Sequence, residues 1–266
     1  MPGETPSLAV RARWKLAHSL WPERLRPSKV LTRWRLRACE AEATGRWQDS
    51  GGVVSGRPRP EARSQTGEDA LLWDLVGDRK RGFFVEAGAY DGYTFSVSYL
   101  FECTGWSGVL VEPIQERAAD CERRRPGSRV VAAALSAPGV KEARLSRDSS
   151  AEWQSRIDST DDEGEAVKAV TLDEVLADHT GAIDFVVLDV EGHELEALRG
   201  FDLERWRPTA LLVENNIPED AAVREHIDGR GYAYVVSLAQ NDLYLRRDEL
   251  ALAQRLHPLW DDLGAF

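Results

Sequence analysis

The stretch "VEAGAYDG", Val85 to Gly92, gathers groups that can hold a small ligand. An apolar run ends at the carboxylate of Glu86, Asp91 adds a second, and glycines at 88 and 92 let a backbone come close to what is bound. A turn built for pyrophosphate spaces its glycines G-x-G-x-x-G, so that phosphate oxygens rest on a helix N-terminus. Here the spacing is G-x-x-x-G and carboxylates flank it, which repels a phosphate and suits a cation. Glu112 ends the next apolar run, twenty residues after Gly92, where an acidic side chain accepts hydrogen bonds from two ribose hydroxyls. A ligand with a sulfonium, an ammonium and a ribose meets these features together, and S-adenosylmethionine is that ligand.

A second group of side chains suits proton transfer. "VVLDVEGHE" sets Asp189, Glu191 and His193 at alternate positions past the end of an apolar run, and "LLVENN" adds Glu214, Asn215 and Asn216 at the end of another. A hydroxyl is a poor nucleophile at neutral pH and needs a general base or a metal. Asp189 or His193 is the expected base, Glu191 and Asn215 fix the acceptor or that base, and Glu214 and Asn215 contact the substrate. Asp189, Glu191 and Asn215 also offer the oxygen ligands that Mg²⁺ prefers. That arrangement is the less favoured, because no aspartate pair adjoins them and the spacing is no ligand signature. Arg147 to Glu165 reads as a lid with a solvated acidic run, "DSTDDEGE", and Trp153 in it can stack on a sugar ring.

Elements that hold such side chains must alternate. "GFFVEAG", "GVLVEP", "RVVAAAL", "IDFVVLDV" and "TALLVENN" read as strands, several apolar throughout, as in a parallel sheet covered on both faces. "EDALLWDLVG", "TFSVSYLFE", "QERAADCERR", "TLDEVLADH" and "HELEALRG" read as the helices between them. The pattern is that of a doubly wound α/β domain with helices on both faces. "GYAYVVSLAQNDLYLRRDEL" adds a hairpin at the sheet edge.

"SQTGEDALLWDLV", "GFFVEAGAYDGYTFSVSYLFECTGWSGVLVEP", "TLDEVL", "IDFVVLDVEGHELEALRGF" and "LLVENN", in this order over residues 64 to 246, resemble the FkbM family of S-adenosylmethionine-dependent methyltransferases. The resemblance implies a class I methyltransferase fold: a Rossmann-like, mostly parallel seven-stranded sheet whose last strand is antiparallel. It implies methylation of a hydroxyl on a sugar, glycoside or other natural product. On this chain Glu86, Gly88, Tyr90, Asp91 and Gly92 would then line the methionine end of the cofactor. Glu112, in the strand-end pair with Pro113, would take the ribose, Ala133 and Ala134 would border the adenine, and Gln65 and Glu68 would lie near the entrance. Asp91 stands where the commonest form of the turn has Asn.

Composition sets the outer limits. Of 266 residues 42% are hydrophobic and 30% charged, as in a globular protein large enough to bury its own core. The longest apolar runs fall far short of a membrane span, and the start lacks the apolar core of a secretory signal, so the expected location is the cytoplasm. Cys39, Cys103 and Cys121, odd in number and scattered, read as free thiols. The net charge of -11 divides into +7 on residues 1–63 and -18 on the remainder. An acidic body disfavours nucleic acid. Residues 1–63 read as a basic arm of two amphipathic helices bearing Trp14, Trp21 and Trp34, then a linker from Arg46 to Arg63, before a catalytic domain at 64–266. Such an arm folds over its own acidic domain or a sister subunit, giving a homodimer; an anionic membrane or partner is the alternative. Two other functions compete with methyl transfer to oxygen. One is a non-catalytic binding or assembly module; the other, an NAD-dependent oxidoreductase, is opposed by the missing G-x-G-x-x-G. Nitrogen or a carboxylate as acceptor also fits the fold.

Overall fold

The computed structural model describes residues 27–52, 56–147, 155–157, 164–215 and 221–256. In chain order its strands are β1 (Phe83–Ala87), β2 (Ser107–Val111), β3 (Ser128–Val131), β4 (Ala134–Leu135), β5 (Glu142–Arg147), β6 (Ser155–Ile157), β7 (Glu165–Val170), β8 (Phe185–Leu188), β9 (Ala210–Glu214), β10 (Tyr232–Leu238) and β11 (Asn241–Arg246). Seven form the main sheet in the order β10-β11-β9-β8-β1-β2-β3. The pairs among β9, β8, β1, β2 and β3 are parallel, and β11 runs antiparallel to both β9 and β10. The doubly wound α/β expectation holds, down to seven strands and one antiparallel member.

The apolar strands are buried on both faces for the reason their composition gives. Phe84, Leu110, Phe185, Val187 and Leu212 face a core that takes in Leu71, Leu72 and Leu75 of the helix Glu68–Val76 and Cys39 and Ala43 of the helix Pro27–Asp49. Val85, Val109, Val186 and Leu211 face the other way, onto Leu172, Ala197, Leu198, Leu203 and Ile227. The three cysteines are free and buried.

Departures from the expected elements have physical causes. The helix read over residues 29–43 runs from Pro27 to Asp49, so the first four residues of the expected linker are helical. It is tied to the body where Trp73 donates to Glu42 at 3.0 Å, Ala62 N–H to Glu40 at 2.8 Å and Arg35 to Asp74 at 3.2 Å. Trp14 and Trp21 lie outside the described residues. "TFSVSYLFE" is helical only over Tyr99–Cys103, because Phe95 has φ +62° and the Val97 and Ser98 amides are held by Glu86 instead of by a helix ladder. "RVVAAAL" breaks after Val131, and β4 leaves the main sheet to pair with β7. β4, β7, β5 and β6 form a small second sheet that the sequence reading did not contain. The expected lid includes β6 and the start of β7, while Trp153 and most of the acidic run lie outside the described residues. The helices Leu203–Trp206 and Ala221–Asp228 were also not foreseen. Among the described residues no helix is long and apolar enough to cross a membrane.

β1 leads outward through β2 to β3, whereas β8 leads through β9 to the opposite edge, so the winding reverses between β1 and β8. In such sheets a crevice opens there, beyond the carboxyl ends of the strands.

Candidate functional site

That crevice is present, and it has two connected parts. The first is lined by Glu86 near the end of β1, Gly88 and Tyr90 after it, Glu112 and Pro113 after β2, Ala133 and Ala134 before and in β4, Asp189 and Glu191 after β8, and Gln65 ahead of the helix Glu68–Val76. The second is a recess lined by Gln65, Glu68, Asp189, Glu191 and Glu214, with Gln240 and Asn241 from the β10–β11 turn. Phe95, Val97 and Val187 border both parts. Most of the expected site residues therefore meet at one place. Asp91, Gly92, His193 and Asn215 line neither part, Trp153 is outside the described residues, and Gln240, Asn241 and Phe95 are additions.

Gly88 was expected to bring backbone close to a ligand. It lines the cleft, but its missing side chain is demanded by the protein itself: a Cβ there would stand 1.7 Å from the Asp189 carbonyl oxygen, at φ +81°. The turn after β1 thus rests directly on the turn after β8. Glu112 is buried and accepts the Tyr90 and Ile114 amide N–H groups, each at 3.0 Å, one on each carboxylate oxygen.

Glu86 differs from the expectation. Its carboxylate accepts the Val97 amide at 2.7 Å, the Ser96 hydroxyl at 2.9 Å and both the amide and hydroxyl of Ser98, so its polar capacity holds the 96–98 loop. The cation facing it is Arg125, which is 1% exposed and was not singled out from sequence. Arg125 donates to Glu102 at 2.9 Å, to the Gly92 carbonyl and the Ser96 hydroxyl at 3.0 Å each, and to the Ser98 hydroxyl at 2.8 Å. A guanidinium stripped of water is tolerated only with such a full set of acceptors. Asp91 turns away from the cleft to accept the Tyr93 and Thr94 amides at 2.9 and 2.6 Å, with Arg124 beside it. Partial burial opposes its charge, but those amides and Arg124 hold it below the usual carboxylate range. Gly92 packs on the helix Gln115–Arg124, where a Cβ would lie 3.1 Å from the Cys121 Cα.

In the recess Asp189 and Glu214 form a carboxyl pair. Burial raises both above the ordinary range; the hydrogen bond between them checks the rise at Asp189, while the charges of Asp189 and Glu191 and that same bond take Glu214 further, so that the pair keeps a proton at neutral pH. Glu194 shapes the turn between them by accepting the Val190 and Gly192 amides at 3.1 and 3.0 Å. His193, an expected base, instead sets its Nε2 3.4 Å from the Ser136 hydroxyl. Burial lowers its pKa further, and the cleft has other groups nearer for proton transfer. Asn215 donates to Asp242 at 2.8 Å and so buttresses β11; Asn216 lies outside the described residues. Glu68 accepts from Thr66 at 2.9 Å and from Asn241 at 3.0 Å. Tyr90, Phe95 and Glu191 have φ of +50°, +62° and +56°, and all three border the cleft, where a backbone held off its easy conformations marks a working site.

The first part fits a ligand with vicinal hydroxyls at Glu112 and a cationic centre facing Asp189 and Glu191, with small apolar Ala133 and Ala134 beside a flat group. Among the described residues no three His, Cys, Asp or Glu side chains are grouped to hold a metal ion. The arrangement can position two ligands end to end and take a proton at the carboxylate between them.

The family described as the methyltransferase FkbM domain matches residues 86–234. No curated protein matches the chain. Among solved structures, the C-terminal domain of precorrin-6Y C5,15-methyltransferase from Rhodobacter capsulatus is similar at 14% identity and TM-score 0.38, over 69% of this chain and 91% of that one. A methyltransferase from Geobacter sulfurreducens is similar at 12% identity and TM-score 0.42, over 91% of this chain and 98% of that one.

Proposed function

The chain belongs to the FkbM methyltransferase domain family, and from that premise we propose an O-methyltransferase acting on a hydroxyl of a sugar, glycoside or other natural-product small molecule. Its sheet is that of the class I S-adenosylmethionine-dependent methyltransferases, with the antiparallel strand next to the edge. The observation that carries the reading to oxygen is the position of Asp189. It borders both parts of the cleft, and burial among carboxylates gives it the raised basicity that a general base at neutral pH needs.

Bound S-adenosylmethionine supplies an electrophilic methyl on sulfur. Around it Glu112 would take the ribose hydroxyls, Gly88 and Tyr90 the methionine end, and Pro113, Ala133 and Ala134 the adenine, with Glu86 and Arg125 keeping the wall in place. Asp189 would accept the acceptor's proton as the carbon–oxygen bond forms, and Glu191 would fix the acceptor's approach. Glu214 and Gln65 line the acceptor's side. Every lining residue lies at position 65 or beyond, which supports residues 64–266 as the catalytic unit and 1–63 as an appended arm. The opposite charges of arm and body support assembly as a homodimer, and the acidic body supports a small molecule rather than nucleic acid as acceptor.

The test is calorimetric titration with S-adenosylhomocysteine, with NAD as control, followed by turnover of Asp189→Asn on an acceptor. Micromolar binding of the first ligand and none of the second is expected, about -8 kcal/mol. Asp189→Asn should keep that affinity and lose turnover by about a hundredfold or more. A variant with full turnover would remove Asp189 as the base.

A further inference from the structure

The recess beyond Asp189 is unusually acidic for a place that receives an alcohol. Carboxyl groups of Glu68, Asp189, Glu191 and Glu214 line it, together with the amides of Gln65, Gln240 and Asn241, and among the described residues no Lys, Arg or His lines it. The oxygens of Glu68 are engaged by Thr66 and Asn241. Glu214 is different: it shares a proton with the Asp189 carboxyl and, only 9% exposed, carries a buried carboxyl oxygen, Oε2, that no donor group of the other described residues reaches. A buried polar atom left without a partner is costly, and a ligand that supplies the partner recovers that cost.

We propose that the recess is an ammonium subsite, so that the methyl acceptor is an amine-bearing alcohol, an amino sugar or amino alcohol, whose protonated amine seats on Glu214 while its hydroxyl reaches Asp189. The identity of the acceptor rests on the methyltransferase reading above; the subsite stands without it. An ammonium offers three donors and no acceptor, which complements a wall of carboxylate oxygens and amide oxygens. A neutral polyol brings no positive charge to the carboxyl groups of Glu68, Asp189, Glu191 and Glu214. Phe95, at φ +62° and 45% exposed, stands where cleft and recess meet and gives the carbon skeleton of such a ligand an apolar face. Burial first, then Asp189 and Glu191, makes Glu214 keep its proton, so arrival of the cation lets that proton leave to solvent. The ammonium of the cofactor is the rival occupant. Asp189 and Glu191 line both parts, but Glu214, Gln240 and Asn241 line only the recess.

The test uses protein saturated with S-adenosylhomocysteine and titrates it calorimetrically with glucosamine, with glucose and N-acetylglucosamine as neutral counterparts, in two buffers of different ionisation heat. Glucosamine should bind at least about tenfold more tightly than either counterpart and release a proton, and Glu214→Gln should abolish the preference. Equal binding of the three sugars, tighter binding of a neutral one, or no binding of glucosamine overturns the proposal. So does a proton released already when S-adenosylhomocysteine alone is added, because the cofactor's amine would then own the recess. If S-adenosylhomocysteine fails to bind while glucosamine still binds the free protein in a Glu214-dependent way, the methyl-transfer reading falls and the ammonium subsite remains.

Discussion

Replacing Gly88 by alanine tests the contact that holds the two halves of the crevice together. The new Cβ would stand 1.7 Å from the Asp189 carbonyl oxygen, against 3.4 Å or more in ordinary contact, and the backbone there has φ +81°. The left-handed conformation alone costs an alanine about 1–2 kcal/mol. Relief of the clash requires the turns after β1 and β8 to part, and forced shifts of packed backbone cost about 1–3 kcal/mol more. Together these give about 2–5 kcal/mol, a fall in Tm of about 4–20 °C for a domain of this size. Gly139→Ala is the matched control, since Gly139 has φ +91° but nothing within 4 Å of the added carbon. It should lose only the conformational part. The assay is thermal unfolding of both variants beside the parent, with S-adenosylhomocysteine affinity measured on each. Gly88→Ala should unfold earlier than Gly139→Ala and bind the ligand more weakly. Equal stability of the two variants, within about 0.5 kcal/mol, would refute the claim that the β1 turn rests on the β8 turn.

Arg125→Met should lower unfolding free energy in urea by about 3–5 kcal/mol, because Glu86 and Glu102 lose their buried cation; a loss under about 1 kcal/mol would show that the network contributes little. Glu112→Ala should weaken S-adenosylhomocysteine binding by about ten- to a hundredfold in calorimetry, and unchanged affinity would remove the ribose role. The Asp189–Glu214 pair holds protons more tightly folded than unfolded. Its contribution to stability is therefore complete below the ordinary carboxylate range and lost as pH rises through about 7 and then about 9. Urea midpoints of the parent should fall across that window while those of Glu214→Gln fall less; equal slopes would rule out the shared proton.

The strands were readable because a strand buried on both faces must be apolar at nearly every position, as Phe83–Ala87 and Phe185–Leu188 are. The second sheet was not, since β5 ("EARLSR") and β7 ("EAVKAV") mix charged, small and apolar residues without a sustained period and resemble exposed loop. At the site, Glu86, Glu112, Asp189 and Glu214 could be found as carboxylates at strand ends. What each one touches could not. Arg125 reaches Glu86 across 39 positions of sequence, and nothing local in "ERRRPGS" marks it apart from Arg123 and Arg124. Asn215 and His193 sit at the right strand ends but turn to Asp242 and Ser136, choices fixed by side-chain packing that no spacing rule contains. Phe95 carried no signal, because its part follows from a backbone conformation that its residue type disfavours.

The insertion of β11 between β9 and β10 puts a clock on the site. As the chain leaves the ribosome, nearly all of the first part of the cleft is specified by Gln65 through Glu191, whereas the recess waits for Gln240 and Asn241 and for the antiparallel partner that closes the open side of β9. On the function proposed above, a nascent chain would be furnished to recognise its cofactor before it could recognise anything to modify. Early occupancy of the finished half would favour the native strand order over pairing of β9 with a stray edge, since a ligand that binds only the folded form stabilises it. A chain cut before residue 241 would retain most of the cofactor's lining, lack the recess and expose the edge of β9, which makes the final hairpin the step at which a binding domain becomes a selective one.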